Sequence, residues 1–204
     1  MPAEPEDLEG MAGEEMDRLP FRATHLAPSY ESIRVLPVTV LLDNVRSMYN
    51  VGSFFRTAEA AAAEVLLLTG ITAFPSENST KSGIRKTALG AEQSMRWEQA
   101  RDAVPLLERL RARNYQIAAI ETTPRAVDLF DWNPAFPVCV VFGHEVDGIR
   151  PEVAALCDVH IRIPMLGRKH SLNVATAGGV VLFELLRKYR MLTGIPAAGG
   201  ATLS

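Results

Sequence analysis

Short apolar runs alternate with stretches of helical period through the middle of the chain. Residues 37–42 (Pro-Val-Thr-Val-Leu-Leu) are almost continuously apolar and rich in β-branched side chains, which predicts a buried strand. The same reasoning predicts strands at 65–68, 115–120, 138–142 and 159–163. Between them, residues 51–63 are Ala-rich helix formers, and residues 100–114 set Val104, Leu107, Leu110 and Arg111 at helical spacing. Residues 172–192 read as a long helix, and a shorter one is predicted near 29–35. Strands that are apolar at every position are buried on both faces, and their alternation with helices implies a mostly parallel sheet covered on both sides. The expected architecture is therefore α/β, with five or six strands.

The ends of the chain break this pattern. Residues 1–20 hold seven acids (Glu4, Glu6, Asp7, Glu9, Glu14, Glu15 and Asp17) against one base, Arg18, with little apolar periodicity. Residues 194–204 are Gly- and Ala-rich. The expected division is an acidic tail and lead-in over 1–36, one domain over 37–193 and a flexible tail over 194–204. A length of 204 residues suits one medium domain and is short for two. The most apolar long stretch, 54–71, is interrupted by Arg56, Glu59 and Glu64, and the acidic start lacks the basic-then-apolar order of a secretory signal. The expectation is a cytoplasmic protein whose two cysteines, Cys139 and Cys157, are buried reduced thiols without the spacing of a zinc site.

Net charge matters only once it is divided. Removing the −6 of residues 1–20 from the total of −3 leaves +3 for the remainder, a mildly basic body that permits an RNA partner without demonstrating one.

Three segments begin where predicted strands end, the edge at which open α/β sheets bind ligands. In residues 43–58, Asn50 is read as the N-cap of a helix and Arg56 follows six residues later. If both face one pocket at the helix start, an RNA phosphate would be at home there; the alternative is a capped helix with a solvated arginine. In residues 140–149, a buried strand enters the turn Gly143-x-Glu145-x-x-Gly148. Its glycines allow close approach of backbone to a ligand, and its carboxylate can accept from hydroxyls or amides. It is not the Gly-x-Gly-x-x-Gly of dinucleotide sites, and His144 reads as a turn residue rather than a catalyst. In residues 161–179, a strand ends at Pro164 and a basic loop follows; Ser171 is read as an N-cap. Ala175, Ala177, Gly178 and Gly179 then suggest that another backbone packs close to the helix, and Met165 and Leu166 offer an apolar rim for an adenine.

Together the three segments resemble the SpoU class of the SPOUT superfamily of RNA methyltransferases. The first family motif has Asn, Gly and Arg spaced as Asn50, Gly52 and Arg56; the second is matched by Gly143, Glu145 and Gly148; the third, Ser-Leu-Asn-Val before a small-residue helix, by Ser171, Leu172, Asn173 and Val174. The likeness covers about residues 36–190, with Ala175 departing from the family's frequent Ser.

The resemblance implies a SPOUT fold with a C-terminal trefoil knot and a homodimer that completes each site across its interface, with the second and third motifs packed there. It implies S-adenosylmethionine as methyl donor, held by Thr122, Gly143, Glu145, Gly148, Ile163, Met165 and Leu172. The reaction would be methylation of a ribose 2'-hydroxyl in tRNA or rRNA, with Asn50, Arg56, Glu145, Ser171 and Asn173 in the catalytic site and no metal. Guanidinium groups hold their protons tightly, so two roles stay open for Arg56: a base whose surroundings weaken that hold, or a charged clamp on phosphate and developing alkoxide. RNA contacts would come from Lys81, Arg85, Lys86, Arg168 and Lys169, whose other reading is solvated surface charge. Two rivals are a base methyltransferase of the same fold and a non-catalytic RNA-binding or assembly factor.

Overall fold

The computed structural model describes residues 33–76 and 83–193. Its strands are β1 (Leu36–Asp43), β2 (Ala63–Thr69), β3 (Trp97–Ala100), β4 (Gln116–Ile120), β5 (Val127–Asp128), β6 (Val138–Phe142) and β7 (Val159–Arg162). They form one sheet in the order β3-β2-β1-β6-β4-β7-β5, and every pairing is parallel. The helices among the described residues are α1 (Met48–Ala60), α2 (Gly83–Ala88), α3 (Ala91–Ser94), α4 (Val104–Ala112), α5 (Pro151–Ala154) and α6 (Val174–Leu192).

The α/β expectation holds, with seven strands instead of five or six. The two additions are short and weakly apolar. Trp97-Glu98-Gln99-Ala100 is a half-exposed strand at the sheet edge, and β5 has two residues. Neither carries the continuous apolar run that marks a buried strand. The helix read over 100–114 is shorter, because Ala100 belongs to β3 and Pro105 sits in the first turn of α4, where its missing N–H is not needed. Ile33–Val35 are not helical; the rest of the helix expected near 29–35, and both tails up to residue 32 and from 194, lie outside the described residues.

Alternating side chains of the central strands feed two cores. Leu36, Val38, Val40 and Leu42 of β1 and Val138, Val140 and Phe142 of β6 face α1 and α6, packing with Phe54, Phe55, Val181, Leu182 and Leu185. Leu41, Cys139 and Val141 point the other way, against Leu106 and Leu107 of α4 and Val153 of α5. Burying each such large side chain contributes roughly 1.5–3 kcal/mol, which is why both faces must be covered. Cys139 and Cys157 are free thiols, the first buried and the second partly so. Burial pushes both thiols up, Cys157 to about 12, so neither is a ready nucleophile. No described helix is long and apolar enough to cross a membrane.

Helix α6 carries the feature that most constrains the site. The chain leaves β7, two strands beyond β6, yet α6 packs on α1 and touches β1. Residues 163–173 therefore return across the C-terminal ends of β4 and β6. Gly178 makes the docking possible: a Cβ there would lie 2.2 Å from the Phe54 ring. The close approach read from the small residues is real, but its partner is an aromatic ring of α1 and not a backbone. At the far end, Lys188 is buried, and its ammonium donates to the carbonyls of Leu129, Phe130 and Trp132 beside Glu184. Lys188→Ala leaves these carbonyls without donors and is expected to cost about 3 kcal/mol of stability in urea unfolding. A loss below about 0.5 kcal/mol would mean that the contact contributes nothing net.

Candidate functional site

A cleft of about 610 Å³ opens where β4, β6 and β7 end. That volume is ordinary for a small-molecule site. Its walls are the ends of these strands, the Gly143–Ile149 turn and the returning segment before α6. The turn is closed by paired backbone bonds between His144 and Gly148, both 3.0 Å, and Gly148 takes a φ of 72°. His144 also faces Asp147 at 3.0 Å, the local role expected of a turn residue. Thr122, Gly143, Glu145 and Gly148 line the cleft, and so do Ile163, Met165 and Leu172. Ser171 and Asn173 stand at its edge.

One hydrogen-bonded chain joins the three sequence segments. Glu145 accepts from the Arg46 amide (3.0 Å), the Ser47 amide (3.1 Å) and the Asn50 side-chain amide (3.0 Å). Asn50 accepts in turn from the Asn173 side-chain amide at 3.1 Å. The Asn173 carbonyl oxygen accepts the amides of Ala175 and Thr176, at 3.0 and 3.3 Å. Two cap assignments change as a result. Ser47, not Asn50, is the N-cap of α1, because its hydroxyl accepts the Asn50 amide at 3.3 Å. Asn173, not Ser171, caps α6, which starts at Val174 and not at 172. Asn50 and Asn173 are thereby left to bridge the two helix starts.

Partial burial alone would raise the Glu145 pKa. The amides of Arg46 and Ser47 and the Asn50 side chain outweigh it and hold the carboxyl below its usual value. Glu145 is thus an anion that neutralises the positive start of α1, not a group that takes a proton near neutrality. A carboxyl whose folded pKa is depressed stabilises the fold fully above the unfolded value of about 4.3 and loses that contribution as pH falls through the folded value. Glu145→Gln should therefore cost about 1 kcal/mol at pH 7 and progressively less toward pH 3 in urea titrations. A gap constant over that range would assign the effect to packing.

Arg56 is placed differently. It is exposed, lines no part of the cleft and has no partner among the described residues. Six residues along a helix turn it roughly 240° from Asn50, so one chain does not bring the two side chains to one pocket. Among the basic residues, Arg168 and Lys169 lie exposed in the loop before α6, and Lys86 is exposed on α2. Arg85 lies 3.7 Å from Glu92, which partly answers its charge. Lys81 lies outside the described residues.

Sequence reasoning missed Glu121, directly after β4, whose carboxylate accepts the Ile149 amide at 3.1 Å from within the cleft wall. It also missed His160, buried in the cleft floor between Thr123 and Arg125, and Asp43, buried and paired with Arg150 at 2.8 Å. An acid at the apolar-to-polar boundary of a strand was the available signal for Glu121 and Asp43. His160, inside a strand, carried none.

The model of the SpoU rRNA Methylase family matches residues 37–183. A 23S rRNA (guanosine-2'-O-)-methyltransferase of Pseudomonas syringae pv. tomato is 32% identical over 155 residues, 74% of this chain and 59% of that protein. The chain thus spans about three fifths of the length of that curated relative. A tRNA (guanosine(18)-2'-O)-methyltransferase of Thermus thermophilus is 33% identical over 162 residues, 78% of each chain. The crystal structure of an AdoMet-bound rRNA methyltransferase from Sinorhizobium meliloti superposes with a TM-score of 0.67 at 29% identity, covering 80% of this chain and 61% of that one.

Proposed function

Because the chain belongs to the SpoU rRNA methylase family, we propose that it transfers the methyl group of S-adenosylmethionine to a ribose 2'-hydroxyl of tRNA or rRNA. The observation that carries this reading is the bridge Glu145–Asn50–Asn173, which ties all three motifs together at the mouth of one cleft. The Thermus thermophilus and Pseudomonas syringae relatives are named for this chemistry, and the Sinorhizobium meliloti structure is AdoMet-bound.

The cleft suits a nucleoside. Gly143 and Gly148 present bare backbone, and Ile163, Met165 and Leu172 supply an apolar wall for adenine. Gly143, Ile163 and Leu172 would hold the adenosine through backbone groups, with Thr122 and Met165 beside them. When bound, S-adenosylmethionine supplies an electrophilic methyl group. Helix α6 packs on α1 and touches β1 although the chain enters it from β7, two strands beyond β6; this crossing back supports reading residues 163–173 as the knotted part of a SPOUT domain spanning 37–193.

The 2'-hydroxyl must shed its proton as its oxygen attacks. Glu145 fixes the start of α1 and holds Asn50; Asn50, Asn173 and Ser171 orient the ribose. Arg56, turned away from its own cleft, is read as serving the cleft of a second copy, either accepting the proton or staying charged against phosphate and alkoxide. The exposed apolar side chains Phe183, Met191 and Leu192 of α6 favour such a homodimer.

Incubating the protein with methyl-labelled S-adenosylmethionine and tRNA or rRNA, then digesting to nucleosides, tests the reading. A 2'-O-methylnucleoside is expected. A base-methylated product would select the base-methylating rival, and RNA binding without any product would select the non-catalytic one. Phosphate contact is read for Arg168, Lys169, Lys86 and Arg85, and for Lys81, which lies outside the described residues. Replacing Arg168 and Lys169 by Gln should weaken RNA binding and lower the salt slope by about 1–2. An unchanged slope would return both to plain surface charge.

A further inference from the structure

We propose that Glu121 accepts a hydrogen bond from the ribose diol of the cofactor's adenosine, an inference that rests on the cofactor reading above. Glu121 follows β4, which lies between β6 and β7 in the sheet, so its side chain stands between the two loops that wall the cleft. Its carboxylate is held by one oxygen only: Oε2 accepts the Ile149 amide at 3.1 Å. The approach depends on Gly148, where a Cβ would fall 2.6 Å from Oε2. No hydrogen bond or ion pair reaches Oε1 from the described residues. The guanidinium of the neighbouring Arg125 is engaged by His160 instead.

Glu121 is half-buried and lines the cleft, so Oε1 is an acceptor left free for a ligand hydroxyl. Its position adds to the case. Ligands of open α/β sheets bind beyond the strands' C-terminal ends, and dinucleotide-binding members of that class use a carboxylate there to take a ribose hydroxyl. Here the Ile149 amide fixes Oε2 and leaves Oε1 as the free acceptor of a residue that lines the cleft. The same negative charge would reject a ribose that carries phosphate on either hydroxyl.

Isothermal titration of the full chain with S-adenosylhomocysteine and its 2'-deoxy- and 3'-deoxyadenosyl analogues tests this, using wild type, Glu121→Gln and Glu121→Ala. In Glu121→Gln the amide oxygen can keep the Ile149 amide, and the second carboxylate oxygen is replaced by an NH2 donor that a hydroxyl meets less strongly than a charged acceptor. Wild type should bind at least one deoxy analogue about ten- to a hundredfold more weakly than the parent. Glu121→Gln should bind the parent more weakly and distinguish it less from that analogue, and Glu121→Ala should not distinguish the two. Equal hydroxyl penalties in wild type and both variants would overturn the proposal and leave the cofactor reading standing. So would a loss confined to Glu121→Ala, which would make the carboxylate only a prop for the turn. Failure of wild type to bind S-adenosylhomocysteine at all would overturn both.

Discussion

Subunits carrying Arg56→Ala, mixed in equal amounts with subunits carrying Asn50→Ala, are expected to recover roughly a quarter of wild-type methyl transfer, although each variant alone loses nearly all of it. Asn50 is bonded to Glu145 and Asn173, both of which line the cleft of its own chain, while Arg56 is exposed and bonded to none of the lining residues. If catalysis needs both, they come from different copies. In a mixed dimer one site then holds two wild-type side chains and the other holds two alanines. Random pairing makes about half the dimers mixed, hence about a quarter of the sites intact. Each homogeneous variant should lose about 10²- to 10⁴-fold in turnover, the range for removing a proton acceptor or an electrostatic clamp. Binding of S-adenosylhomocysteine should stay nearly intact in both, since neither residue lines the cleft. No recovery after verified subunit exchange would place the whole site within one chain. Lost cofactor binding with normal turnover at saturation would remove both residues from the chemistry.

The same two residues show where sequence reasoning reached its limit. The central strands were legible because β1 and β6, buried on both faces, can only be apolar throughout. The edge strands were not, because Trp97–Ala100 needs no apolar face to add to β2. The site was legible as three segments, each spaced correctly after its strand. Its wiring was not. Ser47 and Asn50 are both good cap formers three residues apart, and what decides between them is Glu145, some hundred positions away in sequence. The same holds for Ser171 and Asn173 at the start of α6, where Asn50 helps fix the choice. Local propensity sets which residues can cap, while tertiary partners set which of them do. Glu121 was missed for a related reason: its place at the end of a strand marks it as an acid of interest, but its partner, an amide 28 residues on, is set by tertiary structure.

Gly143→Ala is expected to destabilise the fold by about 3 kcal/mol and to weaken cofactor binding about a hundredfold or more. The glycine sits at the end of β6, where the turn folds back on itself. A Cβ at this position would lie 2.4 Å from both the carbonyl carbon and oxygen of Gly148 and 2.5 Å from the Ile149 nitrogen. These are backbone atoms and cannot swing aside as a side-chain tip would. Relief requires opening the turn, which breaks the paired His144–Gly148 bonds and pulls the Ile149 amide from Glu121. Overpacking of this kind costs about 1–3 kcal/mol, and the broken bonds add roughly 1 kcal/mol each. The binding loss follows because the displaced backbone lines the cleft. Gly167→Ala is the matching control: nothing lies within 4 Å of its Cβ position, so stability should change by less than about 0.5 kcal/mol. Urea unfolding and titration with S-adenosylhomocysteine measure the two effects separately. If Gly143→Ala were as stable as wild type and bound the ligand equally well, the turn could open at no cost, and the glycine would have no part in shaping the cleft.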